Sequence, residues 1–174
     1  MWDQVSEAFC STEFAITRFL VPILAHSGWV LFCDCDIVFL DDPAKLFALA
    51  DDRFAVMCVK HDMKVEHDRK MDGQVQVPYA RKNWSSVMLV NCDHPANQRM
   101  TVSMIKEIPG RFLHRFCWLK DDEIGELPPE WNWLVGVQPK PEHPKIAHFT
   151  LGGPWIPGWV PQAHDDIWSA YKCA

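Results

Sequence analysis

The order of apolar and polar positions predicts alternating helices and strands. Apolar residues recur every three or four positions over about 12–26, which predicts an amphipathic helix that ends at Gly28. Pro22 lies inside this segment and is expected to kink or interrupt the helix, because proline has no N–H to donate. The following run Trp29–Cys33 is continuously apolar, which is typical of a central strand buried on both faces.

The rest of the chain continues the alternation. Further strands are predicted at residues 54–59, 87–90 and 146–149, and further helices at 43–50, 96–107, 110–119 and 165–172. Residues 60–83 are polar without a clear period and are predicted to form a long loop. Alternating strands and helices predict an α/β fold, and no composition shift or repeat divides the chain, so one domain is expected over 1–174.

Composition excludes several classes of protein. The net charge of −6 does not suit neutralisation of nucleic-acid phosphates, and no apolar run reaches the roughly 18 residues expected of a transmembrane helix. The N-terminus lacks the pattern of a signal peptide. The seven cysteines are scattered without a C-x-x-C pair, which favours reduced thiols in a cytoplasmic protein. Nine tryptophans indicate either a binding cleft or an aromatic core.

Two carboxylates directly follow the first apolar strand. Asp34 and Asp36 are two residues apart, so they point the same way if the chain stays extended. In α/β sheets, ligands bind at the carboxyl ends of strands, and oxygen donors suit Mg²⁺ or Mn²⁺, which can bridge two phosphates. Acids at a strand end are often merely solvated. Here apolar residues flank the pair on both sides, which favours a metal site.

Three other features carry candidate chemistry. His148 ends a predicted strand ahead of Gly152 and Gly153, whose backbones could approach an anion, so His148 is a candidate third metal ligand or a packed histidine. The run 121–123 is acidic and is either a solvated surface or a group that orients a reacting sugar. Arg18 lies on an apolar helix face and needs a partner, either an aspartate or a phosphate.

Taken in order, these features resemble the family-eight glycosyltransferases, the group of glycogenin and the bacterial lipopolysaccharide galactosyltransferases. The matching segments are 14–22, 29–36, 84–91, 121–124, 127–132 and 148–155. The resemblance implies a GT-A-like mixed sheet flanked by helices. It also implies transfer of a hexose, with retention, from a nucleotide sugar such as a UDP-sugar to a glycan or lipopolysaccharide-type acceptor, with Mn²⁺ or Mg²⁺ as cofactor.

The resemblance also implies roles for individual residues. Asp34, Asp36 and His148 match the metal ligands, and Arg18 matches an arginine that contacts the donor. Residues at two further places match groups beside the donor sugar: Asp121, Asp122, Ser85 and Ser86.

Three departures from the family pattern change these expectations. Gly153 stands where the family has a diphosphate-binding lysine, so either Lys82 or Arg81 replaces that lysine or the contact is lost. Asp122 stands where the family has glutamine, which changes the expected sugar contacts. Only 17 residues precede Arg18, so the first nucleotide-binding strand is expected to be absent. The fold would then be N-terminally shortened, with an exposed sheet edge that favours homo-oligomers.

Two alternatives compete with glycosyl transfer. A chain without the nucleotide pocket could be a non-catalytic sugar- or metal-binding remnant of the fold. The run from Trp29 to Val38 also resembles the nucleophile strand of haloacid dehalogenase-type phosphatases, in which Asp34 would attack phosphorus. That family needs a Ser or Thr at the end of a later strand, whereas the strand after residue 87 ends at Asn91.

Overall fold

A computed structural model describes residues 2–5, 8–9, 14–62 and 80–171. The strands are β1 Trp2–Asp3, β2 Ala8–Phe9, β3 Trp29–Cys33, β4 Ile37–Phe39, β5 Val56–Cys58, β6 Val87–Asn91, β7 Ile124–Glu126, β8 Trp133–Leu134 and β9 Ile146–His148. The α-helices are α1 Phe14–Thr17, α2 Val21–Ala25, α3 Pro43–Phe47, α4 Pro95–Gln98, α5 Val102–Glu107, α6 Gly110–Leu113 and α7 Asp165–Tyr171. Short 3-10 helices cover Arg18–Leu20, Trp84–Ser86, Asp121–Glu123 and Pro129–Asn132. Most of the predicted loop, 63–79, and residue 172 of the predicted last helix lie outside the described residues.

The strands form mixed sheets with helices packed against them, which confirms the predicted α/β class. A four-stranded sheet has the order β3-β6-β5-β7, in which only β5 and β7 are parallel neighbours. A three-stranded sheet has the order β4-β9-β8, with β4 antiparallel and β8 parallel to β9. The two-residue strands β1 and β2 pair with each other. No helix in the described ranges is long and apolar enough to cross a bilayer.

The prediction that β3 is a central strand is wrong. Within the described residues, β3 pairs only with β6 and forms an edge of its sheet, and all five of its residues are only half-buried. The fully buried position belongs to β6, whose five residues are all buried. An apolar run therefore identified a strand but not its neighbours, because strand order depends on distant parts of the chain.

Pro22 interrupts the first predicted helix, as expected. The segment is divided into α1, the 3-10 turn Arg18–Leu20 and α2. Pro22 cannot donate to the carbonyl of Arg18 four residues earlier, and the N–H of Val21 bonds to that carbonyl instead. This three-residue spacing is that of a 3-10 turn, and it leaves Arg18 on the buried side of the segment.

Other predicted helices are real but shorter. Helix α3 begins as expected, with the Asp42 side chain accepting from the N–H of Ala44 at 2.9 Å, but it ends before residue 50. The predicted helix at 96–107 is two helices, because Thr101 adopts an extended backbone and caps α5 by accepting from the N–H of Met104. The predicted helix at 110–119 is reduced to α6, and Phe116 follows with a φ of +53°.

Side chains of β6 alternate between two apolar clusters. Met88 and Val90 pack with residues of the helical side, while Val87 and Leu89 pack on the opposite face. The second cluster also contains Ile146 of β9 and residues of β4, so one apolar core joins the two larger sheets. This packing brings the end of β9 towards the carboxyl end of β3.

Candidate functional site

Three side chains of the types that bind metal ions come together where β3 and β9 end. Asp34 and Asp36 follow β3 and His148 is the last residue of β9, and one ligand atom from each lies within 4.8 Å of the others. Backbone pairing fixes this arrangement, because Ile37 lies opposite His148 in the β4–β9 ladder and the N–H of Phe149 donates to the Asp36 carbonyl at 2.9 Å. The structure therefore assembles the three residues that the sequence predicted as ligands.

A buried hydrogen-bond chain orients the His148 ring. The Ser86 hydroxyl donates to the Asn83 carbonyl at 2.6 Å and accepts from Nδ2 of Asn132 at 2.9 Å. Oδ1 of Asn132 consequently faces Nδ1 of His148 at 3.0 Å and accepts its proton. The other ring nitrogen, Nε2, lies 3.3 Å from Oδ1 of Asp36. The imidazole is thus held with Nε2 directed at a carboxylate.

This donor set fits a divalent cation. With its proton on Nδ1, a neutral His148 presents a lone pair at Nε2, opposite a carboxylate oxygen that is also an acceptor. Two facing acceptors need a cation between them, either a proton that makes the ring an imidazolium or a metal ion. A histidine ligand whose second nitrogen is fixed by a protein acceptor is a common arrangement in metal sites, and oxygen ligands suit Mg²⁺ and Mn²⁺.

Arg18 is held by protein groups beside the triad. Its Nη2 lies 2.8 Å from Oδ1 of Asp34, its Nη1 donates to the Ser85 carbonyl at 2.7 Å, and its guanidinium lies over the Phe32 ring. Of the two partners that the sequence left open for Arg18, the structure shows an aspartate, and contact of Arg18 with the donor stays a prediction. Burial raises the pKa of Asp34, while the charge of Arg18 opposes the shift. Arg18 fixes the position of the first carboxylate.

The two predicted sugar-contacting serines are buried and hydrogen-bonded within the protein. The Ser85 hydroxyl lies 2.7 Å from Nδ1 of His114, and the Ser86 hydroxyl belongs to the chain that orients His148. Burial, assisted by the charge of Arg18, lowers the pKa of His114 to about 3, so this ring is neutral at neutral pH. Ser85 accepts from Arg18 and Ser86 accepts from Asn132, so both serines bind residues that position the triad. Direct contact of either serine with a sugar stays a prediction.

The acidic pair Asp121 and Asp122 does not join the triad. The 3-10 helix that contains both residues precedes β7, which runs parallel to β5 and hence in the same direction as β3. The pair therefore precedes a strand, whereas Asp34 follows one. The Asp121 side chain is 92% exposed and forms an ion pair with Arg81, which lies in the turn before the 3-10 helix Trp84–Ser86. A catalytic role for the pair stays a prediction.

The glycines and Lys82 occupy loops around these strands. Gly152 has a φ of +117°, which favours glycine, and its N–H donates a hydrogen bond to the Phe149 carbonyl at 2.8 Å. Gly153 is buried under the Trp155 ring, which leaves no room for a β-carbon. Both glycines thus have structural reasons for their places. Lys82 is half-buried in the turn that precedes the two serines.

Sequence reasoning did not single out Asn132 or His114 as site residues. Asn132 is fully buried inside the apolar run 131–135, and a buried amide in such a run has to find hydrogen-bond partners. That signal was present in the sequence, although the identity of the partners was not. Nothing in the sequence around His114 distinguishes it from a surface histidine.

Comparison with known proteins assigns the fold. No model of a known protein family matches the sequence. Two structures of the glycosyltransferase GlyE from Streptococcus pneumoniae TIGR4 superpose on the chain. The apo form gives a TM-score of 0.61 over 92% of this chain and 43% of GlyE, at 16% identity. The second gives 0.57 over 88% and 42%, also at 16% identity.

The chain has a glycosyltransferase fold. The residues of the candidate site lie where the carboxyl end of β3 meets the end of β9. A curated sequence relative, Protein CDI of Arabidopsis thaliana, is 46% identical over 164 residues, covering 91% of this chain. The chain spans 63% of the length of that relative.

Proposed function

We propose that this chain is a metal-dependent glycosyltransferase that moves a hexose from a nucleotide sugar, a UDP-sugar, to a glycan acceptor with retention. The observation that supports this proposal is the cluster of Asp34, Asp36 and His148, with the His148 ring held by Asn132, on a glycosyltransferase fold. The hexose, the retaining outcome and the family-eight relationship come from the resemblance of the sequence motifs.

In this proposal Asp34, Asp36 and His148 hold Mn²⁺ or Mg²⁺. An ion held there would supply positive charge that offsets the charge developing on the departing diphosphate. Arg18 holds Asp34 in place, and Asn132 keeps Nε2 of His148 available by accepting the Nδ1 proton. The protein thereby prepares a fixed set of ligands before the substrate arrives, which is how preorganised charge contributes to catalysis.

The position of the cluster supports nucleotide-sugar binding. Strands β3, β5 and β7 run in the same direction, and the cluster follows the carboxyl end of β3. Open α/β sheets bind ligands at the carboxyl ends of their strands. The acceptor, the cytoplasmic location and a homo-oligomeric state stay predictions, as does the activity of this chain on its own.

The phosphatase alternative finds no support in the site. Its nucleophile would be Asp34, but that carboxylate is engaged by Arg18 at 2.8 Å. The non-catalytic alternative makes a different prediction from glycosyl transfer. A remnant would bind Mn²⁺ in calorimetry without any enhancement by UDP.

The test combines binding and turnover. Calorimetry with Mn²⁺ is expected to show a site whose affinity rises when UDP is present, and UDP release from UDP-glucose, UDP-galactose or UDP-N-acetylglucosamine is expected to require the metal. The variant Asp36→Asn is expected to lose both signals while circular dichroism shows an unchanged fold. A folded wild-type protein with neither turnover nor metal-dependent nucleotide binding would contradict the proposal.

A further inference from the structure

His61 is a buried histidine near the carboxyl ends of β3 and β5, the same end of the sheet at which the triad lies. It follows β5, and the last residue of β5, Cys58, lies opposite Met88 of β6. The last residue of β3, Cys33, lies opposite the neighbouring Val87. The segments that follow β3 and β5 therefore leave the sheet on either side of the start of β6. The His61 side chain is only 6% exposed.

Gln138 fixes the tautomer of the His61 ring. Its Oε1 faces the N–H of Leu134 at 3.5 Å, and its Nε2 donates to Nδ1 of His61 at 3.1 Å. Since Nδ1 accepts, the proton of a neutral ring lies on Nε2. Leu134 lies opposite His148 in the β8–β9 pair, so Gln138 ties His61 to the strand beside a triad residue.

Among the described residues, no acceptor faces the Nε2–H group of His61. Burial, with a smaller effect from the charge of His148, lowers the pKa of His61 to about 4, so the ring carries no charge at neutral pH. Within the described part of the chain, Nε2 is buried and has no hydrogen-bond partner. Buried donors in proteins are almost always satisfied, so a group left in this state beside a binding site is suited to a ligand.

We propose that Nε2–H of His61 donates a hydrogen bond to a hydroxyl oxygen of the sugar carried by the nucleotide. This inference rests on the proposed function. A neutral donor matches a neutral hydroxyl oxygen, whereas the diphosphate is matched by the metal ion. A site that binds a hydroxyl through a buried donor discriminates between sugars, because a sugar without that hydroxyl leaves the donor unpaired. His61 thereby becomes a specificity-determining residue.

Two substitutions at this position separate the Nε2 donor from the rest of the ring. The terminal amide of glutamine reaches the place of Nε2, so His61→Gln keeps a donor there. The shorter His61→Asn places its amide near Nδ1, where its oxygen can still accept from Gln138, and lacks the donor. The two variants are both neutral and polar, and they differ in which ring nitrogen they replace: His61→Gln keeps the donor at the place of Nε2, and His61→Asn keeps the acceptor at the place of Nδ1.

The experiment measures the dissociation constants of UDP and of UDP-glucose, UDP-galactose and UDP-N-acetylglucosamine in the presence of Mg²⁺. The quantity compared is the ratio of the UDP value to the value for the tightest UDP-sugar. We expect His61→Asn to lower this ratio by about tenfold, the cost of one hydrogen bond, and His61→Gln to retain most of it. The affinity for UDP itself is expected to stay unchanged in both variants.

Other outcomes overturn the inference in distinguishable ways. An unchanged ratio in a folded His61→Asn protein removes the sugar contact and leaves the proposed function intact. Equal weakening of UDP and UDP-sugars assigns the donor to the nucleotide and removes the hydroxyl assignment. A wild-type protein that binds none of the three UDP-sugars, or binds them no more tightly than UDP, removes the inference, and in the first case the proposed function as well.

A measurement on the unsubstituted protein covers the case in which the variants fail to fold. With ¹⁵N-labelled histidine, the His61 ring is expected to show a protonated Nε2 and an unprotonated Nδ1 at pH 7. Addition of the tightest UDP-sugar with Mg²⁺ is expected to shift the Nε2 signal, while UDP alone leaves it in place. A signal that UDP and the UDP-sugar shift equally, or that neither shifts, overturns the sugar contact.

Discussion

Oδ1 of Asn132 lies 3.0 Å from Nδ1 of His148, and both side chains are buried. This contact decides which ring nitrogen of His148 faces Asp36. Asn132 can serve only because its own Nδ2 is occupied by the Ser86 hydroxyl, which fixes the direction of the amide. A residue that touches no substrate therefore determines whether the site presents a lone pair or a proton.

Asn132→Leu is expected to weaken Mn²⁺ binding by about 10- to 100-fold, the range found when the partner of a ligating histidine is lost. The measurement is calorimetry at pH 7. The matched control is Asn97→Leu, because Asn97 is equally buried and bonds to the carbonyls of Ala55 and Asn91 away from the triad. Equal metal affinity in the two folded variants would remove the positioning role of Asn132.

Asp36→Asn is expected to abolish stabilisation by Mn²⁺. An ion that binds only the folded state raises the free energy of unfolding by about 2.7 kcal/mol at a hundred times its dissociation constant. Thermal unfolding with and without Mn²⁺ measures this gain. In Asp166→Asn, which alters an exposed aspartate of α7, the gain should persist. A metal-induced shift that survives in Asp36→Asn would exclude the triad as the site.

Stability is expected to fall as the pH drops from 6.5. The folded-state pKa values of His61 and His114 are lowered to about 4 and about 3, whereas unfolded histidine titrates near 6.5. Below pH 6.5 the unfolded chain thus binds protons that the fold excludes, and each histidine lowers the free energy of unfolding by about 1 kcal/mol per pH unit. The raised pKa of Asp34 acts in the opposite sense at lower pH.

Urea unfolding between pH 6.5 and 5 measures this slope. His114→Gln is expected to remove the contribution of His114 to the pH dependence of the free energy of unfolding. The control His143→Gln alters a side chain that is 85% exposed and is expected to leave this pH dependence unchanged. A free energy of unfolding that is constant over this interval would show that neither buried ring is held neutral by the fold.

Arg18→Met is expected to cost about 3 kcal/mol of folding free energy, because it leaves the half-buried Asp34 without its cation and the Ser85 carbonyl without its donor. Arg18→Lys should recover only part of this, since an ammonium cannot reproduce the two-armed contact. The control is Arg53→Met, which breaks an exposed ion pair with Asp51 and should change little. Similar losses in both methionine variants would contradict a supporting role for Arg18.

The sequence predicted the members of the candidate metal site better than their surroundings. Asp34, Asp36 and His148 were recognisable because acids after an apolar run and a histidine before glycines are local patterns. The support of these ligands depends on long-range contacts. Arg18 and Asn132 reach the triad through pairings that no local period encodes, and the edge position of β3 follows from strand order alone.

The glycine-rich loop shows that a local sequence pattern can have more than one physical cause. Gly152 and Gly153 fit a local pattern for anion binding, and that contact stays a prediction, while the structure shows that backbone conformation and the packing of Trp155 also require glycine at these positions. The acidic run at 121–123 likewise matched by order along the chain, but it is not part of the cluster of Asp34, Asp36 and His148 in the described residues. Order in sequence predicted the fold, whereas the residues that meet at one place depend on contacts between distant parts of the chain.

The β4–β9 ladder joins the two ends of the candidate site. Its register places Asp36 and His148 side by side although most of the chain separates them in sequence. The loop that closes when this ladder forms is long, and the entropy of closing it has to be recovered from contacts that form together with it. Binding of Mn²⁺ would therefore report on completed folding, since an intermediate that has formed β3 but not the ladder holds only part of the ligand set. A metal ion bound to all three residues would hold the segment after β3 to β9 and would thereby slow unfolding.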